Sequence, residues 1–271
     1  MGAYALIALD EDNIAVKNIH TAEEWNKFFS YDGSHYNSAE NIRLFPNVAS
    51  QSVDNIRGDY NFSAVGQHPV AFNASIKKIY VGYGVNANEE NAKVVFTGNI
   101  NYGNSTIDPS VKELSFISNI SEYFSGIEFN NFHVDYGNRA GSTVQGIIGE
   151  LNGEFNNNNF INTSVTNSNA DFVGLIGRIG AGASVNNILL RNTNVYTAYK
   201  NSTTDGFGGF AGSVLGTSSK IIDIKNVTAS GVNIDSYGGK NTNVGGLFGT
   251  ATYANLQNIT MTGEDNSGAD V

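Results

Sequence analysis

Apolar and polar residues alternate in short runs along most of this chain, and Gly, Asn and Ser separate the runs. Residues 76–81, 94–97, 113–117 and 126–134 each carry this period of two. It is the pattern of half-buried strands bounded by turn residues. One stretch has a different period. Trp25, Phe28 and Phe29 fall at i, i+3 and i+4, one face of a short helix. Just before them Thr21 and Glu24 have the spacing of a capping box, which satisfies free N–H groups of the first turn. The pattern predicts one short helix near the N-terminus and strands after it.

In the second half the strands repeat. Val144-Gln-Gly-Ile-Ile-Gly149, Val173-Gly-Leu-Ile-Gly177, Phe207-Gly-Gly-Phe-Ala-Gly212 and Val244-Gly-Gly-Leu-Phe-Gly249 are four copies of one phrase. A second phrase, Asn followed by Ile or Val, recurs at Asn187, Asn226 and Asn258. With Asn157 as the first of that column, the position three further on holds Phe160, Leu190, Ala229 and Met261 and is expected to point inward. Five further on stand Asn162, Asn192, Gly231 and Gly263, residue types that enter the left-handed region most easily and so mark a bend. Eight further on, Val165, Val195 and Ile234 are again expected inward. The glycine columns, 146/174/209/246 and 149/177/212/249, predict a tight bend or close packing.

Successive copies are 28, 35 and 37 residues apart. A repeat of this length is the mark of a solenoid or propeller, in which each unit buries its apolar face only against its neighbours. A propeller blade needs about 40 residues or more, and a leucine-rich repeat would be shorter. The spacing predicts an all-β fold, a three-faced parallel β-helix over residues 61–265. Residues 1–60 are the expected N-terminal cap region and 266–271 a frayed tail. Two readings of Trp25 stand at this point: a cap over the end coil, or a platform for a ligand. The three prolines, at 46, 69 and 109, all precede the four clear repeats, as stacked central strands require.

Composition narrows the chemistry. The net charge is −10, with 15 Lys and Arg against 25 Asp and Glu, which argues against nucleic acid and anionic lipid as partners. There is no Cys, so disulfides and thiolate metal sites are excluded. That absence is compatible with an extracellular location. The apolar run at residues 3–9 is too short to span a membrane. His20, His35, His68 and His133 are isolated and form no His-Glu-x-x-His motif. No Gly-x-Ser-x-Gly elbow occurs. The Asp10-Glu-Asp-Asn13 run lacks the glycine and distal Glu of an EF-hand loop. In the repeats, Asp171, Asp205, Asp223 and Asp235 share no column. No catalytic, cofactor or metal residue is expected.

The glycine phrases resemble the GLUG motif, a Gly-Leu-x-Gly repeat of bacterial surface and secreted proteins. Gly174-Leu-Ile-Gly177 and Gly246-Leu-Phe-Gly249 match it fully. Gly146-Ile-Ile-Gly149 and Gly209-Phe-Ala-Gly212 depart at the Leu. Upstream, Ile19-His-Thr-Ala-Glu-Glu-Trp25, Glu40-Asn-Ile-Arg-Leu44 and Phe96-Thr-Gly-Asn-Ile100 with Gly103 are similar to the usual run-in to such repeats. The resemblance implies a right-handed parallel β-helix, commonly an adhesive or passenger segment, and elsewhere a non-catalytic portion of large secreted proteases. The expected role is therefore non-enzymatic adhesion at a bacterial surface. The partner would be a host surface protein or glycan, or another copy on a neighbouring cell. A polysaccharide-active β-helix enzyme and an accessory domain of a secreted protease are the alternatives.

The repeat lengths suggest where such a partner would bind. From Val165, Val195 and Ile234 to the next phrase glycine are 9, 14 and 12 positions. Insertions at one corner of consecutive coils stack into one edge, often the binding face of a solenoid. This edge carries Tyr196, Tyr199, Lys200, Tyr237 and Lys240, and aromatic side chains recur at binding hot spots.

Overall fold

A computed structural model describes residues 8–9, 15–29, 41–45, 57–62, 71–81, 93–103, 115–137, 143–197, 206–236 and 243–263. The architecture is the predicted parallel β-helix. Its first sheet stacks Ala15–Ile19, Asn41–Leu44, Ala71–Val81, Ile117–Ser125, Ile148–Leu151, Ile176–Gly180, Ala211–Leu215 and Phe248–Thr252, each parallel to the next. The second stacks Arg57–Asn61, Lys93–Asn101, Ile127–Asp135, Glu154–Ser168, Ser184–Thr197, Ile222–Ser236 and Ala254–Thr262. The third is short: Val144–Gln145, Phe172–Val173, Gly206–Gly208 and Asn243–Gly245. The parallel ladder thus reaches back into the N-terminal region, where Ala8–Leu9 adds an antiparallel edge.

Each long strand of the second sheet is bent at five-residue intervals. In Glu154–Ser168 the left-handed residues are Asn157, Asn162 and Asn167, with φ of 57°, 48° and 50°. Asn187, Asn192, Asn226, Gly231 and Asn258 repeat the first two bends in later coils. A straight strand would carry the chain past the core. One left-handed residue turns it and resets the alternation, so the inward positions become Phe155, Asn158, Phe160, Thr163, Val165 and Ser168, all buried. The spacing alternates between three across a bend and two within a segment. Val185, Ile188, Leu190, Thr193 and Val195 follow the same rule in the next coil. The registers Phe160↔Leu190, Leu190↔Ala229 and Ala229↔Met261 are the expected inward column.

Asn suits these bends because its short polar side chain tolerates φ > 0 and can bond nearby groups. Here the bonds run between coils. Asn187 Nδ2 donates to Asn157 Oδ1 at 3.3 Å, and Asn258 Nδ2 to Asn226 Oδ1 at 3.0 Å. Asn226 steps sideways and donates to Asn186 Oδ1 at 2.8 Å. In the coil before Asn157, Gly126, with φ 80°, replaces the Asn. Lys93 reaches past that glycine to donate to Asn157 Oδ1 at 2.7 Å and to the Asn157 carbonyl.

The glycine phrase turns the chain from the third sheet into the first. Its central residue, Ile147, Leu175, Phe210 or Leu247, is buried in every coil. The Leu175 carbonyl accepts from both Ile147 N–H and Ile148 N–H of the preceding coil, at 2.9 and 3.2 Å. The flanking glycines are needed for space. A Cβ on Gly174 would lie 2.7 Å from the Ile176 oxygen and 2.8 Å from Ala211 Cα. Of the bend and close packing expected at these glycines, close packing is what excludes a side chain.

The predicted helix is α1, Ala22–Phe29. Glu24 N–H donates to Thr21 Oγ1 at 3.1 Å. The Glu24 carboxylate accepts from His20 N–H at 2.7 Å, one residue before the N-cap that a capping box would use. Trp25 is wholly buried, stacked on Phe116 at 5.7 Å and edge-on to Phe62 and Phe96. It plugs the core of the early coils, which removes the reading of its ring as a ligand platform. Stacked pairs continue inside the helix, Phe124 on Phe155 at 5.2 Å and Phe129 on Phe160 at 5.1 Å.

Candidate binding surface

The sequence-predicted edge is only partly described. Tyr196 ends the Ser184–Thr197 strand, half-buried and facing outward, beside Asp235 of the next coil. Tyr199, Lys200, Tyr237 and Lys240 lie outside the described residues.

Around the second sheet the carboxylates are held by neighbours rather than gathered. Glu128, buried, accepts from Asn130 and Asn159 Nδ2, both at 3.0 Å. Asp135 accepts from Asn167 Nδ2 at 2.8 Å. Asp223 accepts from Asn255 Nδ2 at 2.9 Å and lies 3.5 Å from Lys225. On the first sheet Arg178 donates to Glu150 at 2.9 Å, its guanidinium 5.2 Å from the Phe172 ring centre. Among the described residues no three His, Asp or Glu side chains are placed to hold a metal ion. His133 shares a hydrogen bond of 2.8 Å with Ser164 Oγ, and burial lowers its pKa. Tyr136 is locked inside the coil. Its hydroxyl donates to the Gly146 carbonyl at 2.7 Å and accepts from Gly146 N–H at 3.2 Å, and burial raises its pKa.

A surface that sequence reasoning missed sits at the opposite corner, between the first and second sheets. There Thr217 and Lys220 close a tight antiparallel turn, each N–H bonded to the other's carbonyl. Leu215 and Ile221 flank it with 36% and 59% of their surface exposed, and Tyr253 of the next coil is 58% exposed. The backbones interlock: Ile222 N–H donates to the Tyr253 carbonyl at 3.0 Å, and Gly216 N–H to the Thr252 carbonyl at 2.9 Å. Tyr253 has φ 49°, and every other left-handed non-glycine among the described residues is Asn. A bulky side chain there is strained, and such strain clusters at functional sites. The signal lay in the spacing. From Gly212 to Asn226 is 14 residues, where the other coils take 8, 10 and 9 from the second glycine to the Asn.

No protein-family model, curated protein or solved structure matches this chain.

Proposed function

We propose that this chain is a non-enzymatic, extracellular bacterial β-helix that presents a surface for adhesion to a host protein or glycan. The resemblance of its glycine phrases to the GLUG repeat supports that setting. The observation that carries the binding role is Tyr253. A large aromatic ring stands exposed on a strained backbone, beside Ile221, Leu215 and Lys220, where Asn or Gly would fold at lower cost. Exposed aromatic and apolar side chains with polar neighbours are the anatomy of a recognition site. Carboxylates held by Asn, Lys and Arg partners favour a scaffold over hydrolysis, which uses a pair of carboxyl groups flanking one scissile bond.

The test is attachment of the purified chain to host cells, matrix and a glycan panel. Ile221→Asp with Tyr253→Asn should lower attachment at least ~10-fold, the effect of losing one hot spot, with the melting temperature unchanged or raised. The triple change Tyr196, Tyr199 and Tyr237 to Ser asks the same of the other edge. Full attachment by both variants would refute the proposal, as would product release from an acidic polysaccharide.

A further inference from the structure

One corner of the core is polar on the inside. Ser168, Thr197 and Ser236 end the Glu154–Ser168, Ser184–Thr197 and Ile222–Ser236 strands and are in register with one another. They stand where the second sheet turns toward the third. Ser168 and Thr197 are buried, and so is the Ser236 hydroxyl. Beside them is Gln145, also buried, in the inward column that continues as Val173 and Phe207. Its Oε1 accepts from Asn169 N–H at 2.7 Å. That bond tells the two ends of the amide apart and brings the carboxamide to the residue after Ser168. Ser168 Oγ donates to the Tyr196 carbonyl at 3.3 Å. Gln145 Nε2, Thr197 Oγ1 and Ser236 Oγ have no hydrogen-bond partner among the described residues.

We propose that this stripe is a binding site for a file of ordered water molecules inside the β-helix, one between successive coils. A buried polar group without a partner is costly, and buried polar atoms in folded proteins bond to protein or to ordered water. Hydroxyls of adjacent coils can meet directly when they lean together, as Thr250 Oγ1 does in donating to Ser213 Oγ at 3.1 Å. At this corner they do not. Adjacent parallel strands lie about 4.8 Å apart. Two hydrogen bonds of about 2.8 Å that meet at a tetrahedral water span about 4.6 Å, so one water fits between each pair of hydroxyls. The chemistry selects the occupant. Gln145 Nε2 can only donate, so the occupant must accept. Ser168 Oγ has given its proton to Tyr196 and can only accept, so the occupant must also donate. A cation would meet the Nε2 hydrogens and an anion the Ser168 lone pairs, whereas water does both. The seam lies inside the coil, so it holds whatever the outer surface binds.

The experiment is magnetic relaxation dispersion of the water oxygen nucleus, which counts waters held longer than the protein tumbles. Thr197→Val and Gln145→Leu keep the side-chain size and remove the polar atoms. Each should lose at least one long-lived water relative to the unaltered chain, with an unchanged circular dichroism spectrum. Thr197→Ser keeps the hydroxyl and should keep the full count. A crystal structure of the unaltered chain, which needs no variant to fold, should show a water within hydrogen-bond reach of both Ser168 Oγ and Thr197 Oγ1. Three results would overturn the proposal. They are an undiminished count in either Thr197→Val or Gln145→Leu, a Thr197→Ser chain that loses as many waters as Thr197→Val, and a crystal structure in which this corner is dry or Thr197 Oγ1 bonds directly to a protein atom.

Discussion

Leu189 and Leu190 are adjacent and chemically identical, and the bent-strand rule gives them opposite fates. Leu190 is wholly buried between Phe160 above and Ala229 below, whereas Leu189 faces outward and is half-buried. Leu190→Ala removes three carbons from a closed stack. The lost burial is worth roughly 1.5–3 kcal/mol, and the cavity adds to it. Collapse is limited, because Ala229 beneath is already small and backbone ladders fix the coil spacing. The expected cost is therefore about 3–5 kcal/mol, the upper part of the range for such truncations. Leu189→Ala should cost less, about 1 kcal/mol, since part of that side chain already meets water and its removal leaves no closed cavity. Urea unfolding followed by circular dichroism compares the two. A solenoid can lose coils in stages, so hydrogen exchange along the Ser184–Thr197 strand should accompany it. Equal losses, or a larger loss for Leu189→Ala, would refute the rule that inward positions alternate by three and two.

Gly174→Ala should cost about 1–3 kcal/mol through overpacking, because its Cβ would press on the Ala211 and Gly212 backbone at 2.8 Å, while Gly263→Ala, with open space around it, should leave the melt unchanged. Asn192→Gly should be nearly neutral, but Asn192→Val and Gly231→Val should each cost about 1–2 kcal/mol as left-handed strain, both positions having positive φ. For His133, burial lowers the folded pKa below its ordinary 6.5, so its stabilising contribution is full above that value. That contribution falls as pH drops from about 6.5 through the folded pKa. Melting temperatures between about pH 7 and pH 5 should therefore decline less steeply in His133→Gln.

The coil was legible because its constraints fall on residue types with few substitutes. Closely packed glycines recur in two columns, and the bend column holds only Asn and Gly. The first bend of each coil, at the anchoring Asn157, Asn187, Asn226 and Asn258, was harder to read. An Asn inside a strand resembles a turn residue, and its Oδ1 and Nδ2 find their partners about 30 residues away. The inward Asn158 was equally hidden. It is polar by type, yet its side chain accepts from Ile127 N–H at 3.0 Å and donates to the Phe124 carbonyl at 3.1 Å. At the candidate site, counting from the inward Val and Ile positions directed attention to the Tyr196 edge. The same counting from Gly212 to Asn226 would have located the Thr217–Lys220 turn. That Ile221 and Tyr253 would stand exposed there depends on contacts between two coils, which one repeat does not encode.

Successive coils lie in parallel register, Asn156 beside Asn186. The chain has no Cys, so a pair of introduced thiols reports on this register alone. Asn156→Cys with Asn186→Cys places the two residues on adjacent parallel strands about 4.8 Å apart, within reach of a disulfide. Asn156→Cys with Leu189→Cys shifts the second thiol three residues along, about 10 Å away. After mild oxidation, mass spectrometry should find the first pair cross-linked within single chains and the second as free thiols. Cross-linking of the second pair in preference to the first would contradict the register and the β-helix built on it.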